Sequence, residues 1–345
     1  MNTPFRKTML GKTILFFGSL FAMVALSLAL PFSGLLMTDD GVAIAQDKEA
    51  LSGTFGDKNP RSDFWRAVRD GNSGRSQVQG VDSGMLINNG GENWRQLRNG
   101  PIYYWGGIVL AVMAGLIVLF HLLSMATKST RLEHGRSGVK IPRWDQFTRL
   151  LHWVTAITFI LLSVTGLSLF YGRELLIPLI GKDAFAAWAS VAKEIHNYGG
   201  PIFGVSLTLM LLLLVRHNIP NGTDVKWLLK GGGLFSKNSH PHAGRMNAGE
   251  KVWFWLLATV GMAVVVTGFV MLFNLGISRA DSQTAMLVHG IASLVIMAVA
   301  LGHIYIGTAG TEGSLEAMTT GEVDLNWARQ HHDLWVDDLE RSGKI

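Results

Sequence analysis

Residues 286–308 read MLVHGIASLVIMAVALGHIYIGT. The run is apolar almost throughout and carries no Asp, Glu, Lys or Arg. At about 1.5 Å per helical residue it is long enough to cross the ~30 Å hydrocarbon core of a bilayer. His289 and His303 lie 14 positions apart within it. That spacing is close to four helical turns and about 21 Å of rise. Both side chains therefore project from nearly one face, one toward each leaflet. An ionisable residue inside a span usually faces the bundle and marks a functional path.

Working outward, four more stretches have the length and apolarity of spans: Tyr103–Leu123, Leu151–Phe170, Ile202–Val215 and Val252–Phe273. The third is short unless it is extended back through His196-Asn197-Tyr198-Gly199-Gly200. Tyr104, Trp105, Trp153, Tyr171, Trp253 and Trp255 sit where interfacial aromatic belts are expected. Only 16% of the 345 residues are charged, against about 25% in a soluble chain. The formal net charge of +5 reads as loop charge, because no basic run is interleaved with aromatics as a nucleic-acid groove requires.

Loop charge gives the orientation. The loop after the first span holds Lys128, Arg131, Arg136, Lys140, Arg143 and Arg149, and the loop after the third holds Arg216, Lys226, Lys230, Lys237, Arg245 and Lys251. The opposite loops hold only Arg173, Lys182 and Lys193, and Arg279. The richer pair is expected in the cytoplasm, together with the C-terminus. At the other end, Arg6, Lys7 and Lys12 precede an apolar stretch, and Ala43-Ile44-Ala45 matches a signal-peptidase site. Residues 1–45 are expected to be a signal peptide or an uncleaved anchor, and residues 46–101 a polar, turn-rich periplasmic segment. The remaining divisions are an extra transmembrane helix at 102–124, a cytoplasmic loop at 125–149, a helical core at 150–309 and a cytoplasmic tail at 310–345.

The chain has no Cys. Thiolate-bound zinc, cysteine-ligated clusters and covalently attached haem are thereby excluded. The eleven His sort by depth. His152, at the start of the second span, lies at the inner depth of His303, and His196 lies at the outer depth of His289. His121, His134, His217, His240, His242, His331 and His332 fall in loops, tails or span edges. A single His near a span end is commonly an interfacial residue. Four at matched depths suit two stacked b-type haems, each held by two imidazoles. Zinc or copper needs more ligands at one depth. Two short echoes also occur: LLSVTGLSLF and VVVTGFVML align Thr165-Gly166 with Thr267-Gly268 and His152 with Phe254. Span glycines such as Gly166, Gly204 and Gly268 suit either a flat macrocycle or close helix packing. Arg143, Arg149 and Arg245 suit either haem propionates or solvated positive-inside charge.

Residues 142–335 resemble the cytochrome b (gamma) subunit of membrane-bound formate dehydrogenases. The matching motifs are RWDQFTRLLHW (143–153), KEIHNYGGP (193–201), AGRMNAGEKVWFW (243–255), MLVHG (286–290), GHIYIGT (302–308) and the tail GSLEAMTTGEVDLNWARQHHDLW (313–335). NGGENWRQLRNGPIYYWGG (89–107) looks like the longer form, with an exported N-terminal segment and an added span. The resemblance implies an all-α integral membrane fold with a four-helix dihaem core. It assigns His152 and His303 to the inner haem and His196 and His289 to the outer one. Electrons would arrive from a periplasmic iron–sulfur (beta) subunit, and through it from a molybdenum or tungsten (alpha) subunit. They would leave to a membrane quinone bordered by Asn247 and His303, although Asn247 also reads simply as a helix N-cap. Rival readings are the cytochrome b subunit of a nickel–iron hydrogenase or related oxidoreductase, and a haem-free transporter or assembly factor.

Overall fold

Once the backbone enters lipid, every N–H and C=O must be satisfied within the segment, and helices are the simple solution. The computed structural model describes residues 89–127, 131–233, 240–273 and 277–345. The expected signal peptide and most of the expected periplasmic segment lie outside these residues. Five helical stretches are long and apolar enough to cross a membrane: Gly90–Met125, Gln146–Leu175, Lys182–His217, Ala248–Phe273 and Arg279–Thr308. The protein is an integral membrane protein.

The contacts divide the described residues into two units, one holding residues 89–101 and the start of the fifth span up to 288, the other holding the described residues of 102–272 and residues 289–345. In the first, helix Asn89–Leu97 carries a Glu92–Arg95 ion pair of 2.6 Å and continues through a π turn at Arg98–Ile102. Pro101 sits in that turn, where its missing N–H interrupts the α ladder. The beginning of the fifth span also belongs here, with the Asp281 carboxylate accepting from the Ser278 hydroxyl at 2.7 Å.

In the second unit the second to fifth spans share one apolar core. Phe203 and Leu207 meet Leu257, Val265 and Ile296, with Phe159 and Leu162 packed alongside. Spans two and three share the most extensive helix–helix contact. The third span is one helix, Lys182–Leu214, running through Gly199-Gly200-Pro201. Lys182 and Lys193 are therefore helical residues and not part of a flexible loop. Span four is interrupted by a π turn at Leu257–Gly261 between Ala248–Leu256 and Met262–Phe273. Buried threonines of span two return their hydroxyls to their own helix, as Thr155 does to the Leu151 carbonyl at 2.8 Å.

The first span docks by close approach. Tyr171 donates to the Tyr103 carbonyl at 3.0 Å, and a Cβ on Gly106 would come within 2.5 Å of Leu294. Outside the spans, residues on either side of the core fold together into a small cap. Strand β1 (Lys140–Pro142) pairs antiparallel with β2 (Glu322–Asp324), setting Ile141 opposite Val323. These two, with Leu132, Trp144, Trp327, Trp335 and Val336, form a second apolar cluster. The expected cytoplasmic loop and tail are thus one packed element.

Candidate functional site

Each of the four span histidines meets one partner. His196 on span three faces His289 on span five with ring centroids 6.2 Å apart. His152 on span two faces His303 on span five at 6.4 Å. A transition metal binds an imidazole nitrogen at about 2.0 Å and the centroid lies roughly 1.1 Å behind it, so rings on opposite sides of one atom have centroids about 6.2 Å apart. Both pairs have that spacing. Among the described residues no group of three or more His, Cys, Asp or Glu could hold a metal ion. Each pair thus offers two imidazoles, the donor set suited to a metal carried in a macrocycle.

The 196–289 pair is held from behind. His289 Nδ1 lies 3.0 Å from the Val264 carbonyl, which can only accept, so this nitrogen carries the proton. Thr267 Oγ1 lies 3.2 Å from the same nitrogen. Thr165 donates its hydroxyl proton to the Leu161 carbonyl at 2.8 Å, leaving the oxygen to accept from His196 Nδ1 at 2.9 Å. In both rings Nε2 keeps its lone pair and is fit to bind iron. Gly166 and Gly268 complete the arrangement: a Cβ at either would meet the Cε1 of His196 or His289 at 3.3 Å.

The 152–303 pair is held differently. The His303 ring lies 5.0 Å from the indole of Trp253, 17° from parallel. His152 Nδ1 is buried without a hydrogen-bond partner. Next to it, the Trp153 indole N–H donates to the Met318 carbonyl at 2.9 Å and ties span two to the cap. Trp253 reads in the sequence as a membrane-belt residue, and nothing in its neighbours signals the stacking.

The other histidines lie elsewhere. His121 meets the Tyr305 hydroxyl at 3.1 Å, His217 packs edge-on to Trp144, and His240 pairs with Glu133 at 3.2 Å. His242 pairs with Asp333, and His332 is fully buried with Nδ1 2.8 Å from the Gly244 carbonyl. Asn247 is the N-cap of span four: its side chain accepts from the Glu250 N–H at 3.0 Å, while Glu250 accepts from the Asn247 N–H at 2.8 Å.

None of the three arginines is a solvated surface charge. Arg143, 2% exposed, pairs with Glu250 at 2.9 Å and lies over Trp327 and Trp335 at 4.9 and 5.5 Å. Burial pulls its pKa down, and the Glu250 carboxylate works the other way. Arg245 donates to the Arg143 carbonyl and lies 4.8 Å over Trp144. Arg149 donates to the Thr319 carbonyl at 2.5 Å. Arg143 and Arg245 form an arginine–tryptophan box that locks the cap to span four, and Arg149 ties the cap to span two.

A family model described as prokaryotic cytochrome b561 matches residues 143–321, which include all four histidines. The chain belongs to the prokaryotic cytochrome b561 family. Membership carries haem b as the cofactor, and the facing imidazoles fit it. This cytochrome b561 chain is 28% identical over 212 residues to the cytochrome b556(Fdn) subunit of a nitrate-inducible formate dehydrogenase from Escherichia coli, covering 59% of this chain and 93% of the relative. It is 28% identical to a formate dehydrogenase cytochrome b556 subunit from Haemophilus influenzae over 61% of this chain and 92% of that one. For the cytochrome b556(fdo) subunit from Escherichia coli the figures are 27%, 59% and 94%. An electron-transferring cytochrome b is the function these likenesses support.

Proposed function

We propose that the chain is the cytochrome b subunit of a membrane-bound formate dehydrogenase, holding two b haems and passing electrons from a periplasmic iron–sulfur subunit to membrane quinone. The observation that carries this reading is the pair of facing imidazoles at 6.2 and 6.4 Å, repeated at two depths along one helix. His196 and His289 would hold the haem nearer the periplasm, and His152 and His303 the one nearer the cytoplasm. Bound haem supplies a one-electron centre at each pair. The protein's part is to fix the ligands, exclude bulk water with apolar spans and keep the two centres in line. Formate oxidation itself belongs to a molybdenum or tungsten partner, for the chain has no Cys to hold a cluster.

At the inner pair, Asn247 and His303 would border the quinone. The Asn247 carboxamide oxygen already accepts from Glu250, so its contribution to a quinone carbonyl is the NH2 group. A pyridine haemochrome assay on the purified full chain tests the reading: two haems per chain are expected. Reduction of both by formate in membranes containing the partner subunits completes it. A chain that binds no haem, or only one when fully loaded, overturns it.

A further inference from the structure

Thr165-Gly166 and Thr267-Gly268, which align in the sequence echo, occupy equivalent places in the structure. Each pair stands behind one histidine of the outer couple, with a threonine oxygen near Nδ1 and a glycine beneath Cε1. We propose that the two Thr-Gly pairs are a duplicated seat that positions both outer ligands and makes the outer haem harder to reduce. The inference rests on the reading that His196 and His289 ligate a haem.

The hydroxyl proton of each threonine is held by its own helix. Thr165 gives it to the Leu161 carbonyl at 2.8 Å and Thr267 gives it to the Ala263 carbonyl at 2.6 Å. Both oxygens therefore present lone pairs toward the rings. An acceptor on Nδ1–H raises the basicity of the opposite nitrogen, and a more basic ligand favours the oxidised iron. The glycines fix the approach, since a methyl 3.3 Å from Cε1 would displace the ring by a few tenths of an ångström.

The inner pair has no such seat. His152 Nδ1 is without a hydrogen-bond partner, and His303 rests on an indole. The two seats also differ in strength. His289 keeps the Val264 carbonyl at 3.0 Å whatever stands at position 267, whereas His196 Nδ1 meets the Thr165 oxygen at 2.9 Å. Loss of the hydroxyl should thus be felt more at 165 than at 267.

The test is an optical redox titration of the full chain in membranes, comparing wild type with Thr165→Val, Thr165→Ser, Thr267→Val and the double valine variant. The midpoint of one haem should move to more positive potential in Thr165→Val. It should move less in Thr267→Val and most in the double variant. Serine should restore it, and the second haem should not move. A retained outer haem with an unchanged midpoint in both Thr165→Val and the double variant overturns the seat. Thr165→Ala, which adds no methyl, repeats the measurement if the valine protein does not load. Loss of the outer haem from every hydroxyl-free variant, with retention in Thr165→Ser, supports the seat, and loss in Thr165→Ser as well refutes it. A wild-type chain that binds no haem refutes the underlying ligation reading instead.

Discussion

The His303 imidazole lies nearly flat on the Trp253 indole, 5.0 Å between centroids. Span five thus presents an imidazole that span four supports through a π face, where the His196 and His289 rings are supported through hydrogen bonds. Aromatic stacking of this kind contributes about 0.5–1.5 kcal/mol beyond burial. Trp253→Leu should therefore weaken loading of the inner haem by about two- to tenfold and leave the outer haem intact. Haem titration of the apo chain, followed by low-spin optical spectra, checks it, and equal weakening at both sites counts against it.

Electron transfer along a line makes single-ligand variants separable. His196→Ala or His289→Ala should remove the outer haem and block reduction of both centres by the donor. His152→Ala or His303→Ala should leave the outer haem reducible while quinone reduction stops. His121→Ala, His134→Ala and His217→Ala should keep both haems. Donor-reduced spectra decide this. If His152→Ala abolishes donor reduction while His289→Ala leaves it normal, electrons enter from the opposite face.

By the loop-charge rule residue 90 is expected outside and residue 330 inside. Reporter fusions at the two positions should give signals from opposite sides of the membrane. Signals from the same side would require a different number of spans.

The Arg143–Glu250 pair joins the cap to span four with the guanidinium almost wholly buried. Removing one partner of a buried pair costs about 3–5 kcal/mol, and the partial exposure of Glu250 puts Arg143→Ala near the lower end. Arg143→Lys should rescue poorly, since an ammonium cannot stack between Trp327 and Trp335 as the planar group does. Protease resistance of residues 311–345 reports the result, and full resistance in Arg143→Ala would show that the pair is dispensable.

The cap should also loosen in acid. Burial, with His240 and Arg143 adding, pulls His331 down to about 4. Burial and the Arg143 charge pull His332 well below the ordinary histidine value. In the unfolded cap both return to about 6.5. The native cap therefore binds fewer protons across this window, and its stability falls as pH drops from about 6.5 toward about 4. Tryptophan fluorescence through that range should report loss of packing around Trp327 and Trp335, with a smaller change in His332→Gln. A flat response down to about pH 4 would contradict it.

The spans and the pairing of the four histidines were legible because both depend on one-dimensional signals: apolar length and residue spacing along a helix. His289 and His303 stand on one helix, so geometry follows from counting. The cap was not legible. Ile141 and Val323 pair across a separation that no local period records, and the tail motif alone says nothing of its partner strand. Helix Asn89–Leu97 was hidden for another reason, since its Asn, Gly and Gln carry no apolar stripe. Arg143 stayed open between haem propionates and positive-inside charge because its burial depends on Trp327 and Trp335, distant in the chain. Thr165-Gly166 and Thr267-Gly268 were visible as a repeat, but the direction of their side chains needed the fold.

The π turn at Leu257–Gly261 separates the part of span four that bears Trp253 from the part that bears Thr267 and Gly268. Each residue added to or removed from an α-helix turns everything beyond it by about 100°. Deleting one residue from the regular helix between this turn and Thr267 would swing Thr267-Gly268 away from His289. Substitutions within 257–261 leave the phase intact. Span four is thus a segment in which indels are graver than missense changes, because its message is carried by the number of residues between two aromatic and hydroxyl landmarks and hardly by their identity.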